Sequence, residues 1–90
     1  MKKLNHVNKL FKNLSDINRL KTVIYIGETE KSAGEVVEHL NLSQPLVSHH
    51  LKKLRECGIL ITTRKGPFVN YRLANTKILT LISEFNNITK

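Results

Sequence analysis

The sequence predicts a mainly α-helical fold with one β-hairpin: about five helices and one two-stranded antiparallel hairpin. Three observations predict it. Two capped helical patterns stand about three residues apart in the middle of the chain, around Ser32 and Ser43. A β-branched run and an alternating run follow them, joined by Arg64-Lys65-Gly66-Pro67. Finally, both ends of the chain carry apolar residues at three- and four-residue spacing.

Taken in order, the first helix is expected from about 3 to 14, with Leu4, Val7, Phe11 and Leu14 on one stripe and Leu10 beside it. Ser15 and Asp16 can cap a second helix containing Ile17, Leu20, Val23, Ile24 and Ile26 before Gly27. Val23 to Ile26 alone would also suit a strand, and only the flanking helical spacing argues otherwise. Ser32-Ala33-Gly34-Glu35 has the spacing of a capping box, so a short third helix is expected from about Ala33 to Leu40. Ser43 caps the fourth, where Pro45 is tolerated in the first turn because its missing NH would be unpaired there. That helix should run to Cys57, with Gly58 closing it. Ile59 to Thr63 and Phe68 to Leu73 form the hairpin, the latter alternating Val69, Tyr71 and Leu73 with Asn70 and Arg72. A last helix, about 76 to 88, aligns Ile78, Leu81, Ile82, Phe85 and Ile88. Two helices across a short turn, followed by a hairpin, make a winged helix-turn-helix.

Ninety residues give room for one domain, 1–90, whose modest core leaves a partner subunit a natural supplement. Fifteen Lys and Arg against seven Asp and Glu leave a formal charge of +8, which favours a polyanionic partner. The charge is uneven. Glu28, Glu30, Glu35 and Glu38 face only Lys31 in one stretch, whereas Lys52, Lys53, Arg55, Arg64, Lys65 and Arg72 face only Glu56 in another. Met1-Lys2-Lys3 leads into Asn5, His6, Asn8 and Lys9 rather than an apolar run, so a cytoplasmic protein without membrane attachment is expected. Cys57 stands alone, which excludes an intrachain disulfide and any site built from several thiolates of one chain.

On the fourth helix Val47, His50, Leu51 and Leu54 fall on one side, while Gln44, Ser48, Lys52 and Arg55 occupy another, with His49 on their flank. In a major groove Gln can bond adenine at two points, Ser or His can reach base edges, and Lys or Arg can reach guanine or phosphate. The hairpin adds Arg64 and Lys65 at its tip, placed to reach a neighbouring backbone or minor groove. Each of these residues alone is an ordinary surface residue; their joint placement on one helix and the next hairpin points to double-stranded DNA.

The stretch Leu42-Ser43-Gln44-Pro45-Leu46-Val47-Ser48-His49-His50-Leu51-Lys52-Lys53-Leu54-Arg55-Glu56-Cys57-Gly58-Ile59-Leu60 resembles the helix-turn-helix of the ArsR/SmtB-type repressors. Gly66, Val69, Tyr71, Arg72 and Leu73 match that family's wing, and Leu14-Ser15-Asp16 with Arg19 the start of its second helix. Ile17 stands where the family usually has Pro, a departure at a helix start and not in the reading helix. The resemblance implies a repressor that dimerises through its first and last helices, with Ser43, Gln44, Ser48 and His49 near bases. The dimer residues would be Leu4, Val7, Phe11, Leu14, Ile78, Leu81, Ile82 and Phe85, and the operator an imperfect palindrome with half-sites about 34 Å apart.

Many relatives release DNA on binding metal. The cysteine pair that some carry aligns with Ser32 and Gly34, and the zinc site of others, between the last helices, would need ligands from Thr76 to Lys90, where Glu84 is the only acid and no His occurs. Neither site is therefore expected, nor any other metal or cofactor. His49 and His50 are adjacent, so they point about 100° apart and cannot chelate together; His50 is expected to be partly buried with a hydrogen bond. His6 and His39 are isolated, and Cys57 is expected as a small packing residue. No nucleophile with a base and orienting acid occurs, nor a Gly-rich phosphate loop, so an enzyme is not expected. The rival reading is a winged-helix module that binds a protein, for which the acidic stretch Glu28 to Glu38 would matter more than Gln44 and Ser48.

Overall fold

The computed structural model describes residues 2–88. Its elements are α1 (Lys2–Leu14), α2 (Ile17–Ile26), β1 (Lys31–Ser32), α3 (Ala33–Leu40), α4 (Gln44–Glu56), β2 (Leu60–Lys65), β3 (Phe68–Leu73) and α5 (Lys77–Ile88). Five helices and a hairpin stand where the spacing predicts them, and Val23 to Ile26 is helical. Two details differ. β2 continues through Arg64 and Lys65, so only Gly66 and Pro67 turn the hairpin. A third strand joins the expected pair, giving the antiparallel order β1-β3-β2.

That extra strand is two residues long. Lys31 pairs with Tyr71 and Ser32 with Asn70, far too short a stretch for side-chain alternation to announce it. Ser32 has a second task. Its Oγ accepts from Glu35 N at 3.1 Å while Glu35 Oε1 accepts from Ser32 N at 2.9 Å, a closed capping box that starts α3. One residue thus ties the sheet edge to the first helix of the helix-turn-helix.

The ends of α4 are equally determined. Ser43 Oγ accepts from Leu46 N at 3.4 Å. At the other end Ile59 N donates to Leu54 O and Gly58 N to Arg55 O, the paired bonds of a Schellman motif. Gly58 takes φ +86°, a left-handed conformation that glycine adopts without penalty. In α2, Asp16 is the cap: its Oδ1 accepts from Asn18 N and Arg19 N at 2.8 and 3.1 Å, so Ile17 opens the helix without the proline.

The core gathers Val23 and Ile26 of α2, Val36 of α3, Val47, Leu51 and Leu54 of α4, then Cys57, Ile59, Leu60 and Leu73. Helix α4 supplies the largest share and is seated on its packed face by three fully buried side chains. Its opposite face therefore has a fixed orientation relative to the hairpin, which is what a reading surface requires. No helix among the described residues is long and apolar enough to cross a membrane.

Candidate nucleic-acid interface

Helix α4 sorts its side chains as its period dictates. Val47, His50, Leu51 and Leu54 are buried, whereas Ser43, Gln44, Ser48, His49, Lys52 and Arg55 are all exposed. An amide, a hydroxyl and two cations thus follow one another along the solvent side of one rigid helix. Ser43 is the exception in role, because its hydroxyl oxygen already accepts the bond that caps α4.

His50 occupies the middle of the buried face. Arg19 Nη1 stands 3.3 Å from His50 Nδ1, and since the guanidinium is always a donor, Nδ1 must accept and the proton resides on Nε2. Nε2 lies 4.0 Å from Asp16 Oδ1 and has no hydrogen-bond partner among the described residues. Burial lowers the His50 pKa below its ordinary 6.5, the charges of Arg19 and His49 add to that, and Asp16 opposes them. His50 is therefore neutral in the folded protein near pH 7. Asp16 itself is held below 3.8, chiefly by the backbone bond from Arg19.

A pH dependence follows with a definite sign. With the folded pKa below the unfolded one, the unfolded chain takes up the proton first on acidification, so stability is fully present above about pH 6.5 and falls as pH drops below it. Melting temperature should decline from about pH 7 to pH 5.5, and His50→Gln, which can still accept from Arg19, should flatten that slope. The Asp16 contribution disappears only at lower pH, below its ordinary 3.8. A wild-type melting temperature that rose on acidification through this window would contradict the assignment.

The hairpin treats its two cations differently. Successive strand residues point to opposite faces, so Arg64 and Lys65 diverge. Arg64 is exposed and, among the described residues, in no ion pair, whereas Lys65 Nζ lies 3.1 Å from Glu30 Oε2. Thr63 Oγ1 donates to Glu30 Oε1 at 3.0 Å, and the Lys65 and Thr63 bonds together lower the Glu30 pKa. Glu30 thus crosses the sheet and anchors the wing. The acidic run from Glu28 contains this residue, but nothing in its spacing names Lys65 as partner, because the contact spans 35 positions of chain.

Phe68, 69% exposed and paired in register with Lys65, also escaped the sequence reading. Its signal was present: the alternation that buries Leu73 puts Phe68 on the same parity as Asn70 and Arg72. Gly66, at φ +63°, makes the turn, and a Cβ there would meet no atom within 4 Å, so backbone conformation alone asks for glycine.

The terminal stripes are divided. Leu14, Ile78 and Ile82 are half-buried against the core, as is Leu79, while Leu4, Val7, Phe11, Leu81 and Phe85 stay exposed. Phe11 and Phe85 meet edge to face, with ring centroids 6.0 Å apart, and so join α1 to α5. No three His, Cys, Asp or Glu side chains among the described residues group so as to hold a metal ion. Cys57 is buried at the end of α4 with Sγ 3.4 Å from Leu54 O.

Comparison with known proteins gives this geometry a context. Residues 16–62 match the sequence pattern described as "Bacterial regulatory protein, arsR family". The transcriptional repressor SdpR of Bacillus subtilis is 38% identical over 73 residues, covering 81% of this chain and 80% of SdpR. Among solved structures, the transcriptional repressor BigR from Xylella fastidiosa superposes with a TM-score of 0.82 at 37% identity, over 97% of this chain and 89% of that one. The homodimeric winged helix-turn-helix DNA-binding domain of Mb0332 from Mycobacterium bovis gives 0.86 at 19% identity, over 98% and 82%, a likeness of fold.

Proposed function

The chain belongs to the arsR family of bacterial regulatory proteins, and from that membership we propose that it binds double-stranded DNA sequence-specifically as a homodimer and represses transcription. The observation that carries this reading is the exposed row Gln44, Ser48, Lys52 and Arg55 on a helix locked by its buried face, followed by a wing whose Arg64 is exposed and, among the described residues, in no ion pair. A solved homodimeric winged helix-turn-helix DNA-binding domain, that of Mb0332, has the same fold. Residues 1–90 would act as one DNA-binding domain in the cytoplasm, where its target lies.

In this reading Gln44 and Ser48, at the N-terminal half of α4, enter the major groove, with Ser43 and His49 beside them. Lys52, Arg55 and Arg64 hold phosphates and set register. Lys65 contributes less than its charge suggests, because Glu30 already holds it. Two copies related by a two-fold axis would present two α4 helices to successive major grooves about 34 Å apart, which makes the operator an imperfect palindrome. The exposed apolar residues of α1 and α5 would form that dimer.

The ligand positions of the family's two familiar metal sites are unsuited here: Ser32 and Gly34 supply no thiolate, and from Thr76 to Lys90 only Glu84 is an acid. Zinc, cadmium, copper and arsenite should therefore leave the protein on its DNA. Stoichiometric zinc binding that released DNA and was lost on one His substitution would overturn this.

The experiment for DNA reading separates two kinds of contact. Gln44→Ala should cost about 1 to 3 kcal/mol on the operator and far less on random duplex, relaxing discrimination at one base pair. Arg64→Ala should weaken both DNAs alike and lower the slope of log K against log salt by about one. Fluorescence anisotropy on both duplexes over a salt series reads these quantities. Equal losses on operator and random DNA for Gln44→Ala would count against base reading by α4.

A further inference from the structure

Between α1, α2 and the C-terminal half of α4 lies a cleft of about 630 Å³ lined by Lys9, Lys12, Asn13, Arg19, Lys53 and Glu56. Four cations there face one carboxylate, and among the described residues none of the four is in a salt bridge. Uncompensated positive charge in a concavity focuses potential and collects anions. The volume lies within the range of small-molecule sites.

Arg19 gives the cleft a fixed element. Its Nε donates to Asn13 O at 2.8 Å and its Nη1 to His50 Nδ1 at 3.3 Å, while buried Asn13 is itself tied to Lys9 O through Nδ2 at 2.9 Å. A guanidinium has five N–H donors, so those not used in these two bonds remain for a ligand. Held in this way, the group loses little conformational freedom on binding, unlike the three lysines around it.

Position decides what kind of anion the cleft serves. At about 100° per residue, Lys53 lies roughly 180° around α4 from Gln44, and Lys9 and Asn13 lie roughly 160° around α1 from Phe11. The cleft thus faces away from Gln44 and from Phe11, while Glu56 at its rim lies about 40° around α4 from Lys52. An occupant that leaves the row proposed to read DNA and the stripe proposed to dimerise both engaged must be a separate, small molecule. We propose that this cleft binds a free small polyanion carrying phosphate groups, and that Arg19 relays its occupancy to α4 through His50. The relay is physical: the guanidinium that would grip the anion is the one that donates into the buried face of the recognition helix. Coupling of this kind is reciprocal, so an anion that changes DNA affinity has its own affinity changed by DNA in equal measure.

Inorganic pyrophosphate is a suitable probe, titrated calorimetrically into the full chain without DNA. One saturable site per chain is expected, with NMR shifts at the Arg19 Nε–H and the His50 ring. Lys12→Gln and Lys53→Gln should each weaken binding about three- to fivefold, the size of one exposed ion pair, and Glu56→Gln should strengthen it by a similar factor. Lys77→Gln, on α5 outside the cleft, should change nothing. Saturating pyrophosphate should shift duplex affinity by about fivefold or more relative to sodium chloride of equal ionic strength, and Lys53→Gln should move the midpoint of that shift to about three- to fivefold higher pyrophosphate. Loss of affinity in Lys77→Gln equal to that in Lys53→Gln would reduce the effect to diffuse charge and overturn the site. A salt slope for duplex binding lowered by about one in Lys12→Gln or Lys53→Gln would assign the cleft to the DNA backbone instead, and overturn the free ligand. Unchanged duplex affinity at saturation would overturn the relay.

Discussion

Phe85→Asp should yield a folded monomer whose operator affinity is lower by about two orders of magnitude or more, the loss expected when two linked half-site contacts become one. Phe85 is 52% exposed and rests on Phe11, so the substitution does not open the core, and it places a carboxylate in the apolar surface proposed to meet a second copy. Leu4, Val7 and Phe11 of α1 and Leu81 and Ile88 of α5 add further exposed apolar area, more than isolated surface residues would account for. Ile82 makes a poorer probe of the same idea. It is half-buried against the core, so Ile82→Asp would damage the fold and the dimer together. Sedimentation velocity, thermal melting and anisotropy on one preparation distinguish the cases. A wild-type monomer at micromolar concentration that bound its operator tightly would remove both the dimer and the palindrome. A Phe85→Asp variant that remained dimeric would move the interface elsewhere.

Leu54→Ala should cost about 2 to 5 kcal/mol of stability, whereas Ser48→Ala, six residues earlier on the same helix, should stay within about 0.5 kcal/mol. Leu54 is fully buried in the core, and its carbonyl accepts the bond from Ile59 N that closes α4. Ser48 is exposed on the solvent side of α4, so its removal should appear in DNA affinity instead. For a chain of this size the Leu54 loss is a large part of the roughly 5 to 15 kcal/mol available, so partial unfolding at growth temperature is the expected consequence. Urea denaturation measures both. Comparable losses for the two variants would mean that α4 is not held by the face the structure buries.

Much of this was legible because short-range rules govern it. The capping box at Ser32 and Glu35, the cap at Ser43, the glycine after Cys57 and the periods of α4 and α5 each depend on residues within a few positions of one another. The same period separates Val47, Leu51 and Leu54 from Gln44, Ser48 and Lys52, so the exposed row of the candidate site is legible in the sequence alone. The terminal stripes were legible only as stripes. Spacing put Leu14, Ile78 and Ile82 with Phe11 and Phe85, and could not tell which would turn back onto the core, since that depends on where α1 and α5 come to rest.

What the sequence by itself determined, then, is the succession of elements and the inward and outward faces of each, because backbone periodicity and capping are local. Tertiary structure alone decided the pairing of Ser32 with Asn70, the capture of Lys65 by Glu30, and the meeting of Arg19 with His50 at 3.3 Å across 31 positions. It also decided which cations lie around one cleft. These contacts join residues distant in the chain, whose approach is set by how the helices pack on the shared core rather than by any spacing between them.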